Sequence, residues 1–195
     1  MEAATARIDG RTARALRTRE AVVDALIAIL EDGNPQPSVE EIAERAGVSA
    51  RSVFGHFGDR ESLFSAVAER RAEKLRAEWE RLPDPAAPLA QRIAALAGQR
   101  ARLYEQIAPI RRGALIMEPG SETIRTGLEG FRALKRREAV KLFHTEIAGD
   151  KALAAALGAV ASFSTWDELR RRQGLSVECA EAALRRAVEG LFSGA

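Results

Sequence analysis

The sequence predicts an all-α protein, and three observations carry that reading. Apolar residues recur at helical spacing almost throughout the chain, as in Val23, Leu26, Ile27 and Leu30. No segment shows the alternating β-branched pattern that a half-buried strand requires. The interruptions fall on residues that end or start helices: glycine, proline, and serine or aspartate caps.

The elements follow in order. A helix is expected over about 14–31, ended by Gly33 and kept from resuming by Pro35 and Pro37. Ser38 and Glu41 have capping-box spacing, opening a short helix that lasts to about Arg45. Gly47 supplies a turn, and Ser49 caps a third helix reaching about His56. Asp59 caps a fourth, carrying Leu63, Phe64, Val67, Arg71, Leu75 and Trp79, which lasts until Pro83. "LPDPAAP" at 82–88 reads as a stiff connector. Helices are then expected near 89–107, 109–117, 121–147, 151–173 and 176–193, about nine in all, with Pro109, "EPG", "AGD" and "QGLS" at the breaks.

Composition bounds the function. A chain of 195 residues with 46% hydrophobic and 30% charged residues has enough material for one or two compact domains. The lone Cys179 excludes an intramolecular disulfide framework and multi-cysteine metal sites. No apolar run approaches the length of a membrane span, and residues 1–20 lack a signal-peptide core, so the cytoplasm is the expected compartment. A net charge of +2 does not by itself argue for a nucleic-acid partner. Its distribution is more informative: Arg7, Arg11, Arg14, Arg17 and Arg19 face only Glu2 and Asp9 in residues 1–19, which makes the N-terminus basic.

The stretch "EEIAERAGVSARSVFGHFGDRESLF" at 40–64 changes direction at Gly47 and again before Asp59. A capped helix, a glycine turn and a second short helix form a helix-turn-helix, whose second member fits the DNA major groove. Ile42, Ala43, Val48, Val53 and Phe57 are placed to form a small core, which leaves Ser49, Arg51, Ser52 and Gly55 facing outward. An ordinary helical hairpin with a polar face would show the same bare pattern.

Extended to "SVEEIAERAGVSARSVFGHFGDRESLF", the run resembles the DNA-binding region of the TetR/AcrR family of bacterial transcription regulators over about residues 15–66. "TWDELRRRQGLS" at 165–176 is similar, more weakly, to a tract in some actinobacterial-type members. The resemblance implies an N-terminal three-helix DNA-binding domain at 14–62, preceded by a flexible basic arm at 1–13 and followed by a ligand-binding and dimerisation domain at 63–195. It implies phosphate contacts by Ser38, His56 and Arg60, and base reading by Ser49, Arg51, Ser52 and Gly55. Arg51 is the leading specificity residue, because its guanidinium can donate to both guanine O6 and N7. Phe54 stands where many members carry Tyr; it keeps a ring for DNA contact or for the core, without the hydroxyl. Arg17 and Arg19, at the end of the basic segment, are placed to reach the minor groove or the backbone.

The family also implies a homodimer, a small-molecule inducer and no cofactor. Ala155, Leu157 and Ala159 in one helix, with Ala180, Leu184, Ala187 and Leu191 in the last, form stripes suited to a four-helix dimer interface or to the core of one chain. Trp79, Tyr104, Met117, Phe131, Phe163 and Trp166 fall on the helices where family pockets lie, and each also reads as a core residue. The expected function is a repressor released from a palindromic double-stranded operator by its inducer. Two other classes stay open: a protein-interaction module on the same fold, and a helical enzyme. Against the enzyme, His56 and His144 are far apart, and no zinc-protease, nucleophile-elbow or phosphate-loop motif occurs.

Overall fold

The computed structural model describes residues 10–79 and 83–193; the side chains of 77–79 are outside the described set. Among the described residues every regular element is helical: α1 (Gly10–Glu31), α2 (Val39–Ala46), α3 (Ala50–Phe57), α4 (Arg60–Trp79), α5 (Leu89–Met117), α6 (Glu122–Leu142), α7 (His144–Ile147), α8 (Lys151–Val160), α9 (Phe163–Asp167) and α10 (Val177–Phe192). No described helix is long and apolar enough to cross a membrane.

The chain divides into two compact units. One comprises residues 1–71 with 109–124, and the other 72–108 with 125–195. Helices α4 and α5 each contribute residues to both, so the division does not coincide with a simple split after residue 62.

In the first unit, α1 buries Val22, Val23, Ala25, Leu26, Ile29 and Leu30, and it packs on both α2 and α3. The same unit buries Ile42 and Ala43 of α2, Val53 and Phe57 of α3, and Leu63, Phe64 and Val67 of α4. α1 begins at Gly10, earlier than expected, so Arg11 belongs to a helix; Arg7 lies outside the described residues. Arg70 of α4 faces both Glu20 and Asp24 of α1, and Arg71 pairs with Glu31.

In the second unit the interior holds Ile93, Leu96, Leu103, Tyr104, Phe143, Leu157, Phe163, Trp166, Leu184 and Val188. Phe143 stacks on Phe192 with ring centroids 5.0 Å apart. Charged groups enter this interior together with partners. Arg92 donates to the Leu142 carbonyl at 2.9 Å and pairs with Glu146. Arg100, fully buried, donates to the Lys135 carbonyl at 2.9 Å and to Gln99 at 2.7 Å, and Lys135 pairs with Glu138 at 2.8 Å. Burial pushes the Lys135 ammonium below its ordinary range.

Three expected boundaries differ. Pro109 does not break α5; the helix continues to Met117 without one amide donor, because Ala108, Ile110 and Arg111 on either side of the proline are buried. The helix expected to 147 stops at Leu142, and α7 starts after Phe143, whose φ of −115° leaves the helical region. The helix expected over 151–173 ends at Val160. There Ser162 caps α9 by accepting from the Thr165 amide at 3.2 Å, and the Thr165 hydroxyl donates to the Ala159 carbonyl at 2.7 Å. These two hydroxyls give the backbone an alternative to helix continuation. Residues 168–172 follow as a single π-helical turn.

Candidate nucleic-acid interface

The helix-turn-helix is held by local chemistry at each corner. The Ser38 hydroxyl accepts from the Glu41 amide at 3.1 Å, and the Glu41 carboxylate accepts from the Ser38 amide at 2.6 Å. The Ser38 backbone donor first, and the Ser38 side chain after it, hold the Glu41 carboxyl below its usual range. Gly47 closes α2 at φ 67°, a left-handed conformation that a side chain would strain. Its amide donates to the Glu44 carbonyl at 3.1 Å, while Val48 donates to Ala43 at 3.0 Å. Ser49 then caps α3, accepting from the Ser52 amide at 3.2 Å. Asp59 opens α4 by accepting from the Ser62 amide at 2.7 Å, which holds its carboxyl low.

These constraints decide which way α3 faces. Val53 and Phe57 are buried, whereas Arg51, Phe54 and Gly55 are exposed and Ser52 and His56 are half-buried. Ser38 and Ser49 are exposed, and each uses its oxygen as a cap acceptor; the Ser38 hydroxyl also bonds the Glu41 carboxylate, whereas the Ser49 O–H is left to donate outward. No described side chain pairs with Arg51. Phe54 is 52% exposed, so it is a surface ring and not the core residue that its type also allowed.

Two of the expected contact residues also have structural partners. Arg19, half-buried on α1, sets its guanidinium 4.5 Å from the centroid of the Phe57 ring, whereas Arg17 is exposed. Arg60 donates from Nη2 to the Pro37 carbonyl at 2.8 Å, tying the start of α4 to the loop before α2. Neither partner was readable from local spacing, because both join segments distant in sequence.

Comparison with known proteins fits this geometry. Residues 24–67 match the family described as bacterial regulatory proteins, tetR family. The N-terminal domain is a TetR-family domain. The TetR-type fold extends over the rest of the chain. A transcriptional regulator from Rhodococcus sp. Rha1 superposes with a TM-score of 0.69 at 20% identity, covering 92% of this chain and 96% of that one. A TetR-family regulator from Rhodococcus sp. gives 0.67 at 19% identity, covering 90% and 99%. NalD of Pseudomonas aeruginosa, described as the secondary repressor of the MexAB-OprM multidrug efflux pump, gives 0.54 at 21% identity, covering 93% and 96%. A comparison with curated protein sequences finds no match.

The residues expected to line a ligand pocket are distributed as follows. Tyr104, Phe163 and Trp166 come together inside the second unit. The Tyr104 and Phe163 rings meet edge to face at 5.6 Å, and the Tyr104 hydroxyl donates to the Ala161 carbonyl at 2.8 Å. The Trp166 indole N–H donates to Glu105 at 2.9 Å. Phe131, half-buried, has the Lys135 ammonium 5.8 Å from its ring centroid. Met117 belongs to the first unit and is half-buried, and the Trp79 side chain lies outside the described residues. Of the residues expected at a dimer interface, Leu157, Ala180 and Leu184 are buried within one chain, Leu191 is half-buried, and Ala155, Ala159 and Ala187 are exposed.

Proposed function

We propose that the protein is a cytoplasmic, homodimeric transcription regulator that binds a palindromic double-stranded operator as a repressor and is released by a small-molecule inducer. The observation that carries this reading is the outward edge of α3, where Arg51, Phe54 and Gly55 are exposed beside the cap hydroxyl of Ser49. Such an edge on a short, doubly capped helix suits the major groove.

Each group has a task in this reading. Arg51 reads guanine, with Ser49, Ser52 and Gly55 beside it. Ser38, His56 and Arg60 contact phosphates, and Arg17, with Arg19 behind it, extends the positive surface towards the backbone or the minor groove. The acidic residues Glu40, Glu41 and Glu44 sit on α2, which therefore faces away from DNA.

Residues 63–195 serve ligand binding and dimerisation. The exposed small residues Ala155 and Ala159 of α8 and Ala187 of α10 allow close approach of a second copy, and α8 packs beside α10 within one chain. An inducer taken up among the helices that carry Tyr104, Phe163 and Trp166 alters the positions of α4 and α5, the helices that run into the first unit. The two recognition helices then leave the roughly 34–36 Å spacing of successive major grooves. A hundredfold loss of affinity requires about 2.7 kcal/mol of preference for the splayed state, within the ordinary range of coupling energies. No cofactor and no catalytic group enters this scheme. The repressor named among the structural neighbours supports the sign of regulation.

The deciding experiment is selection of duplex DNA from a random library by the purified protein, followed by a salt titration. A palindrome bound with a log–log salt slope of about −7, as about eight phosphate contacts give, supports the reading. No enrichment by folded dimer, or binding indifferent to salt, directs the function to a protein partner.

A further inference from the structure

We infer that Phe54 is a base-reading residue: its ring packs against the C5-methyl group of a thymine in the major groove, within a base pair or two of the guanine that Arg51 faces. The inference rests on the proposed DNA reading and adds the chemistry of a second operator position.

The argument starts from exposure. Phe54 is 52% exposed on a helix whose other ring, Phe57, is buried. Its neighbour Gly55 is also exposed, with nothing within 4 Å of the position a Cβ would occupy, so no side chain at 55 stands between α3 and an approaching surface. A phenyl ring has no donor or acceptor, so it cannot replace a tyrosine hydroxyl on phosphate. Within the major groove the apolar group it can cover is the thymine methyl.

Spacing links the two readers. Arg51 and Phe54 stand three residues apart on α3, which places them on neighbouring faces with an axial separation of roughly 4.5 Å. Base pairs rise by about 3.4 Å, so side chains at this separation reach the same or adjacent steps. The result is a paired edge: a cation for guanine and an apolar ring for thymine.

The test replaces each thymine of the selected operator in turn by deoxyuridine, which removes only the methyl, and measures the affinity of the wild-type protein and of Phe54→Ala. Because the ring is exposed, the alanine variant keeps the fold, which its melting curve checks. The wild-type protein is expected to lose about fourfold in affinity per half-site at one thymine near the Arg51-dependent guanine, the value of one buried methyl. In Phe54→Ala that loss disappears. Equal affinity for deoxyuridine at every thymine, an undiminished loss in Phe54→Ala, or an operator with no thymine beside that guanine overturns the inference while leaving the regulator reading intact. Failure to select any operator overturns both.

Discussion

A Cβ added to Gly113 of α5 would stand 3.0 Å from Cε1 of Phe64 on α4. The same atom would meet Leu30 Cδ2 and the Pro35 carbonyl oxygen, each at 3.1 Å. Glycine here lets the last turns of α5 close onto α1 and the start of α4 within the first unit. Alanine is worth about 1 kcal/mol more than glycine in a helix interior, but overpacking costs about 1–3 kcal/mol. One of the three neighbours is a backbone oxygen, which moves less readily than a side-chain end. Gly113→Ala is therefore expected to lower stability by about 1 kcal/mol. Gly127→Ala and Gly130→Ala, in α6 with nothing within 4 Å, are expected to raise it by up to about 1 kcal/mol. Urea denaturation of the three variants checks the contrast, and a gain at Gly113 equal to the others rejects the close approach.

Glu105 is the shared acceptor of two side chains brought from later helices. It takes the Trp166 indole N–H at 2.9 Å and a two-point contact from Arg170, with Nε at 2.9 Å and Nη2 at 3.0 Å. Trp166 is only 1% exposed, so Glu105→Ala strands a buried donor, at a cost of about 1–3 kcal/mol. Glu105→Gln keeps an acceptor for the indole and should lose less. In a Trp79→Phe background, the tryptophan emission of the alanine variant should shift and its denaturation midpoint fall. Equal midpoints for the alanine and glutamine variants would remove the indole bond from the explanation.

The legible parts of the fold were those written in local chemistry. Ser38 with Glu41, Gly47, Ser49 and Asp59 set their own corners through bonds spanning a few residues, and each performs the expected role. Pro109 misled because a proline's missing donor is a local penalty, while the burial of Ala108, Ile110 and Arg111 that keeps α5 continuous is tertiary. Ser162 and Thr165 carried a cap signal inside an alanine-rich stretch whose helix propensity masked it. At the candidate interface, the outward edge of α3 followed from periodicity. The engagement of Arg19 with Phe57 and of Arg60 with Pro37 did not, because those pairs meet only in the folded unit.

Acid should lower stability through a small set of carboxylates. Glu41, Asp59 and Glu146 are all held below their usual range: the first two by the backbone amides of Ser38 and Ser62, the third by its hydrogen bond to Arg92. A depressed folded-state pKa gives stability that is fully present above the unfolded value of about 4 and is lost as pH falls through the lower folded value. Stability should therefore be flat near neutrality and fall below about pH 4. Glu41→Gln keeps the capping-box acceptor without a titrating group, so it should be slightly less stable than the wild-type protein near neutral pH and converge with it in acid, which flattens part of that fall. Glu146→Ala should cost about 3–5 kcal/mol even at neutral pH, because it leaves the buried Arg92 guanidinium without its counter-ion. Melting temperatures followed from neutral pH down to about pH 2.5 separate the two behaviours.

Arg51 and Arg60 carry the same charge but should fail differently when removed. Arg51 is exposed on α3 and has no partner among the described residues, so Arg51→Ala should leave stability unchanged. It should cost about 1–3 kcal/mol of discrimination at one base position in each half-site. Arg60 is already bonded to the Pro37 carbonyl, so Arg60→Ala should lower stability by about 1 kcal/mol and weaken binding to all sequences alike. It should also reduce the salt slope by about 1 for each phosphate that it no longer neutralises. Repeating the duplex selection and salt titration with both variants tests the assignment. A base preference that relaxes in Arg60→Ala and persists in Arg51→Ala would reverse the two roles, placing the start of α4 in the groove and α3 along the backbone.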